Sequence, residues 1–308
     1  MVSVGSLRAG GSGKTPIAGH VVELLLAAGE RPAILSRGYA REVERDGVTV
    51  VSDGQRLLAD VREAGDEPLM LARAYPRAPV LVCANRYLAG RLAEEQLQAT
   101  VHVLDDGFQH LPLRRDVDLL LADRSDLQDH LLPYGRLRES LRTAAVADAL
   151  LTTEDDEAVL EQLRASLGLA TTFQVRRGVR ATKVVSTGQL VDPAIGPAVA
   201  FAGIARPERF FADLTRAGWT VASTVTFPDH RRFTVADTSR LADEVRRVGA
   251  RVAITTSKDR ARWADPTIAG VPVAVAELSA TVQPPAFGDW LLARLHKARS
   301  GDAPPLAR

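Results

Sequence analysis

The chain carries one cysteine in 308 residues, which excludes an internal disulfide framework and any zinc site built from several thiolates. That residue, Cys83, lies in the apolar run PVLVCAN, where a small thiol reads as core, and a single Cys agrees with a reducing compartment. Long hydrophobic runs are missing as well. A spanning helix needs roughly 18 consecutive apolar residues, and the best stretches, VVELLLAAG and AVADALLTT, fall short. No basic-then-apolar leader precedes the strand-like MVSVGSL, so no signal peptide is expected. An excess of either charge is also absent: 39 Lys and Arg face 38 Asp and Glu, a balance that argues against a dedicated nucleic-acid binder. Lysine is nearly missing. Lys14, Lys183, Lys258 and Lys297 are the four, and all other basic residues are arginine. Composition bias accounts for most of them, while a few arginines remain candidates for phosphate or anionic headgroups. Hydrophobic residues at 46% and charged residues at 25% are ordinary for a globular chain and exclude disorder as a description of the whole.

What is present is alternation. Short apolar runs at 2–7, 32–36, 48–51, 79–83, 101–104, 117–122 and 149–152 read as strands, and helical patterns cover 14–28, 67–75, 86–98 and 156–167. Continuous apolar strands separated by helices predict an α/β fold with a doubly wound parallel sheet covered on both faces. Residues 171–195 break the pattern with two extended, partly polar segments around Gly178, a hairpin or linker. Alternation then resumes, predicting a second, smaller α/β domain over 196–285. The division expected is 1–170 for a P-loop domain, 171–195 for the linker, 196–285 for the smaller domain, and 286–308 for a closing helix and frayed tail.

The sharpest local signal is Gly10-Gly11-Ser12-Gly13-Lys14-Thr15, followed by Pro16. It sits between a strand and a helix, the setting a phosphate loop requires. Its glycines let backbone N–H groups close on phosphate oxygens at a helix N-terminus. Lys14 can reach the β- and γ-phosphates, and Thr15 can ligate magnesium. The usual opening glycine is replaced by Arg8, and the plain alternative is a chance Gly-rich turn. A second acid for the metal is available where the strand VHVL runs into Asp105 and Asp106, at the strand end that lines the crevice of such sheets. An acidic turn before Gly107 is the alternative.

Other residues are open to two readings. Asp66 and Glu67 open a helix, either as first-turn acids favoured by the helix dipole or as a general base beside the nucleotide. Asp229-His230 follows a strand of the smaller domain and is either surface or a carboxylate–imidazole pair. PYGRLRES reads as a mixed-charge loop or a solvated helix start. TTSKD stands where a GTPase would keep its base-reading motif, but Asp259 follows Lys258 directly, which counts against guanine recognition of that kind.

Together these strings resemble the tetraacyldisaccharide 4′-kinase family, the lipid A 4′-kinases of Gram-negative bacteria. VGSLRAGGSGKTP, LSRGYAR, AGDEPLMLA, LDDGFQH, PYGRLRE, FPDHRRF and TTSKD occur in the family's order over nearly the whole chain. Arg8 replaces the family's Thr, Ser6 its Asn, Ser257 its Glu, and Arg231 an aromatic or His. Members carry an amphipathic membrane helix ahead of the first strand, and the resemblance therefore implies either a truncated or misassigned start or membrane docking through another surface. The resemblance implies transfer of the ATP γ-phosphate to the 4′-hydroxyl of tetraacyldisaccharide 1-phosphate. It implies ATP held by Gly10, Gly11, Ser12, Gly13, Lys14, Thr15 and Pro16, and Mg2+ held by Thr15, Asp105, Asp106 and Glu67. Asp66 would be the base, joined by His230 from the second domain on closure, with Lys14 and Asp106 also catalytic. Arg86, Gln109, His110, Arg138 and Glu139 would contact the lipid substrate. The implied protein is a cytoplasmic monomer, peripheral on the inner-membrane face, with no nucleic-acid partner. Two other readings stand beside it: a P-loop switch or chaperone driven by a nucleotide, and a weakened family member that only binds lipid.

Overall fold

A computed structural model describes residues 1–300 apart from Ser12, Ala40, Glu44, Arg45, His230, Arg232, Ala264, Pro284 and Pro285. The chain forms two compact units, one of residues 1–176 with the chain from Thr281 onward, the other of Arg177–Ala280.

The first unit runs β1 (Val2–Ser6), α1 (Lys14–Ala27), β2 (Pro32–Ser36), β3 (Thr49–Ser52), α2 (Val61–Ala64), α3 (Asp66–Ala74), β4 (Val80–Val82), α4 (Arg86–Leu97), β5 (Val101–Asp105), β6 (Val117–Leu121), α5 (Arg124–Leu127), β7 (Ala149–Thr152), α6 (Glu157–Leu167) and the start of β8 (Thr172–Val184). Its strands lie in the order β3-β4-β2-β5-β1-β6-β7-β8. Neighbours are parallel, save β3, which pairs antiparallel to β4 at the edge. Every residue of β1, β2, β5 and β6 is buried, which is why these strands read as unbroken apolar runs. β1 lies between β5 and β6, with Val4 opposite Asp105. The loop after β1 therefore opens beside the carboxyl end of β5, where α/β sheets bind ligands. The expected doubly wound parallel sheet is the observed one. Cys83 is buried, as expected.

Two glycines set the approach of neighbouring segments. A Cβ on Gly19 of α1 would lie 2.1 Å from Tyr75 Oη. On Gly5 it would lie 2.4 Å from Phe108 Cβ and 2.8 Å from the Phe108 backbone N. Only a bare β1 lets the turn after Asp106 fold over it. Gly5→Ala is expected to cost about 1–3 kcal/mol through overpacking, read as a lower melting temperature in thermal denaturation.

The second unit continues β8 and adds β9 (Ala198–Ala202), α7 (Pro207–Arg216), β10 (Val221–Thr226), α8 (Val235–Val248), β11 (Val252–Thr256), α9 (Ser257–Arg260), β12 (Thr267–Ile268) and β13 (Val271–Gln283). The chain then enters α10 (Ala286–Arg299). β10, β9, β11 and β13 are adjacent and parallel. Phe201, Phe233 and Trp263 pack mutually edge-on or tilted beneath them, and Phe210 and Trp219 are core. The hairpin expected around Gly178 is not formed: Thr172–Val184 is one strand. Part of it is satisfied across the ladder with β13, while Arg177 pairs with Asp213 of α7 at 3.0 Å. Lys183 Nζ lies 2.7 Å from Glu277 Oε1, and Ser279 Oγ donates to the Gly178 carbonyl at 3.4 Å. The partner is about a hundred residues away in sequence, so a local reading places a turn where the chain stays extended. No described helix is long and apolar enough to cross a membrane.

Candidate active site

The loop after β1 is made by backbone conformation. Gly10, Gly11 and Gly13 have φ of 69°, 60° and 84°, the left-handed region that glycine occupies without strain. Gly13 is the residue before α1 and has no side chain with which to cap that helix. Its first N–H groups are thus left to a ligand, and an anion suits them. Pro16 sits in the first turn, where a missing N–H costs nothing. Ser12 lies outside the described residues.

Lys14 and Thr15 face the end of β5. Lys14 Nζ donates to Ser6 Oγ at 3.2 Å and lies 3.4 Å from Asp106 Oδ1. Thr15 Oγ1 donates to Asp105 Oδ2 at 3.4 Å. The two aspartates differ electrostatically. Burial first, then the charges of Glu67 and Asp106, raise the Asp105 carboxyl from 3.8 to about 7, against the pull of Lys14 and Thr15. Burial acts on Asp106 too, but hydrogen bonds from Arg138 and the charge of Lys14 outweigh it and hold its pKa below the ordinary value. Asp106 itself is left-handed, φ 55°, so consecutive side chains can serve different partners.

The chemistry of these residues suits magnesium. Asp105 Oδ1 is buried without a hydrogen-bond partner among the described residues, and the charge of Glu67 disfavours its ionised form. A hydroxyl at 3.4 Å completes the set. The described residues hold no group of three or more His, Cys, Asp or Glu able to bind a metal alone. A phosphate-bound magnesium needs none, because one or two carboxylates, waters and phosphate oxygens make its octahedron. The residues fit the ion.

Arg138 organises the acidic side. Its two terminal nitrogens meet Asp106 Oδ2 and Oδ1 at 2.9 and 2.7 Å, a bidentate fork. One also donates to the carbonyls of Ser6 and Arg8 at 3.0 and 3.2 Å. Gln109 Nε2 donates to the Ser6 carbonyl at 3.1 Å. The resemblance implies that Arg138 and Gln109 contact the substrate; in this structure both also bind the site's own backbone, and Arg138 its acid. Ser6 is the hub: it receives Lys14 on Oγ and donates that hydroxyl to the Arg8 carbonyl at 2.9 Å.

Sequence reasoning missed what Arg8 does. It is 4% exposed, with Nε donating to Asp126 Oδ1 at 2.7 Å and Nη2 lying 3.3 Å from Asp129. A buried arginine demands a buried acid, but only the fold identifies one 118 positions away. Arg37, inside LSRGYAR, was also unassigned. Its charge, after burial, depresses the pKa of Arg86, and burial, Arg86, Arg115 and Arg37, in that order of influence with Arg37 last, depress His110. Arg86 is buried at the start of α4 and also feels Asp106. Arg37 and Arg86 thus form a cationic flank beside the aspartates, and together with burial they favour the neutral form of the neighbouring His110. Asp66 and Glu67 occupy the first turn of α3, half-buried, behind Gly65. Glu139 has no hydrogen bond or ion pair among the described residues, and His230 lies outside them. In the second unit, Lys258 Nζ is 3.6 Å from Asp229 Oδ1. Asp259, wholly buried, accepts from the Gly203 amide at 3.1 Å and from Thr256 Oγ1 at 2.8 Å. That aspartate is spent on holding strand ends, in agreement with the failed guanine spacing.

This sheet, the glycine loop on its central strand, and a Lys–Thr pair facing two strand-end aspartates define a P-loop nucleotide-binding protein. Comparison with known proteins narrows the class. The family model for tetraacyldisaccharide-1-P 4′-kinase, LpxK, matches residues 1–296, and the chain belongs to that family. It is 40% identical over 262 residues to a tetraacyldisaccharide 4′-kinase of Geobacter metallireducens, covering 84% of this chain and 77% of the relative. It is 38% identical over 268 residues to that of Desulfotalea psychrophila, with the same coverage. A crystal structure of LpxK from Aquifex aeolicus, described as an "apo" form in complex with ATP, superposes with a TM-score of 0.72 at 31% identity. That match covers 96% of this chain and 87% of the other.

Proposed function

We propose that this chain transfers the γ-phosphate of ATP to the 4′-hydroxyl of a tetraacylated disaccharide 1-phosphate. The observation that carries the reading is the meeting of Lys14 with Asp106 and Thr15 with Asp105 at the mouth of the glycine loop, in a chain of this family. Phosphoryl transfer asks for positioning and neutralised charge more than for covalent chemistry. The amides of Gly10–Lys14 hold the phosphates, and Lys14 moves from Asp106 to the β- and γ-oxygens. Thr15 and Asp105, with Asp106 and Glu67, would hold magnesium, which when bound neutralises charge on the phosphates. Asp66 takes the proton of the sugar hydroxyl, with His230 as the second residue of that step. Arg86, Gln109, His110, Arg138 and Glu139 serve the acceptor, and Arg37 joins Arg86 as a second guanidinium for its phosphate. The acyl chains of the acceptor require the protein to work at a membrane face.

The test is a transfer assay with γ-labelled ATP and purified acceptor in detergent. Label on the disaccharide, dependent on magnesium, is expected. Acceptor-independent hydrolysis with GTP preferred over ATP would replace the kinase reading with a nucleotide switch.

A further inference from the structure

The loop between α5 and Leu137 is built unlike an ordinary solvent-facing turn. Leu131, Leu132 and Tyr134 are 48%, 55% and 92% exposed. Single exposed apolar residues need no explanation, but here three large ones crowd a four-residue tip. Nor is the tip loosely tethered. Leu132 N donates to the Leu137 carbonyl at 2.9 Å, Leu137 N to that of His130 at 3.0 Å, and Tyr134 and Gly135 N to that of Leu131 at 3.0 and 3.1 Å. The Asp129 carboxylate accepts from the amides of His130 and Arg136 at 2.9 and 3.1 Å. At Gly135 a Cβ would fall 2.2 Å from the His130 carbonyl oxygen, so this closure takes glycine only. The backbone holds apolar side chains out in water by construction.

The charge around the tip points to what covers it. From His130 to Arg138 the sequence has no Asp or Glu and two Arg. Arg136 is exposed, Arg138 is held by Asp106, and Asp129, which precedes the segment, is engaged by two amides and by Arg8 at 3.3 Å. Leucines to sink below the headgroups, a tyrosine to sit among them and the exposed Arg136 to meet lipid phosphates complement an anionic bilayer. The base of the loop is joined to the phosphate site. Ala9 N donates to the Arg136 carbonyl at 2.8 Å, Arg138 N donates to that of Leu7 at 2.7 Å, and the Arg138 side chain holds Asp106.

We infer that residues 130–136 are a membrane anchor, in which Leu131, Leu132 and Tyr134 enter the interface of an anionic bilayer and Arg136 contacts its phosphates, fixing the glycine loop at the membrane surface. The choice of occupant rests on the lipid-kinase reading; the test does not require catalysis. The full chain is floated with vesicles of phosphatidylglycerol and phosphatidylethanolamine that contain no disaccharide. The wild type is expected to float, and a double variant Leu132→Asp with Tyr134→Asp to bind about tenfold less. Arg136→Glu should weaken binding to these vesicles but leave binding to neutral phosphatidylcholine vesicles unchanged. Transfer to detergent-dispersed acceptor should survive the double substitution, which also shows that the variant folds. As a gentler measurement, Tyr134→Cys can be labelled with a polarity-sensitive dye, because Cys83 is buried, and its emission should shift to the blue on vesicle addition. A wild type that stays unbound, undiminished binding by the double variant, or a dye that remains in water would each overturn the anchor. Vesicle binding without any transfer in detergent would instead remove the kinase reading and leave the anchor standing.

Discussion

Asp66→Asn is expected to lower kcat for phosphoryl transfer by roughly 10²–10⁴-fold, the range a positioned general base contributes, with nucleotide affinity nearly unchanged. The substitution is isosteric, and Asp66 keeps its place in the first turn of α3, after Gly65 with φ 86° and ψ 164°. Two explanations for an acid at this position predict different sizes of effect. If it only complements the helix dipole, its loss costs about 0.3–1 kcal/mol of stability and leaves turnover alone. If it accepts the proton of a sugar hydroxyl, the barrier rises by about 3–5 kcal/mol and stability hardly moves. The prediction is therefore read from kcat and the KM for each substrate, with a thermal melt alongside. His230→Ala should lose rate on the same order. A variant of Asp66 with wild-type kcat would end its role as base.

The parts of this site that were legible beforehand are those whose chemistry is local in sequence. Gly10 to Thr15 declare a phosphate loop because the positive-φ glycines, the lysine and the helix start are contiguous. Asp105 and Asp106 declare themselves as the end of an apolar strand, and parallel strands covered on both faces look apolar throughout. What could not be read was each pairing closed by tertiary structure. Arg8 and Asp126 are 118 positions apart and Arg138 and Asp106 are 32 apart; nothing near either arginine names its partner. Ser6 looks inert in a buried strand, yet its hydroxyl and carbonyl together meet Lys14, Arg8, Gln109 and Arg138. The strand through Gly178 failed for the same reason, because its ladder partner β13 lies far along the chain. Family motifs did carry Arg138 and Gln109 to the site, but not the fact that they stabilise its acid and its backbone.

Asp105→Asn is expected to do two opposite things: abolish transfer and stabilise the ligand-free protein at high pH. In the folded chain the Asp105 carboxyl is raised from 3.8 to about 7, by burial first and then by Glu67 and Asp106. The unfolded chain sheds that proton near 3.8. Between these values the unfolded state binds fewer protons than the folded one, so stability falls as pH rises, and the full loss is present above about 7. A difference of this size corresponds to about 4 kcal/mol. Asparagine keeps the shape and an oxygen for Thr15 but carries no charge to repel Glu67. The variant should melt several degrees above wild type at pH 8 and within error of it at pH 4, where the wild-type carboxyl is itself neutral. Other carboxylates titrate over the same range, but they do so in both proteins and cancel in the difference. The strain is what a cation would relieve, since Asp105 Oδ1 has no hydrogen-bond partner among the described residues. Magnesium with ATP should accordingly raise the melting temperature of the wild type at pH 8 much more than that of the variant. Melting curves at both pH values, with and without magnesium and ATP, decide the matter: equal stability of the two ligand-free proteins at pH 8 would mean that Asp105 bears no such repulsion, and its assignment to the metal would lose its electrostatic basis.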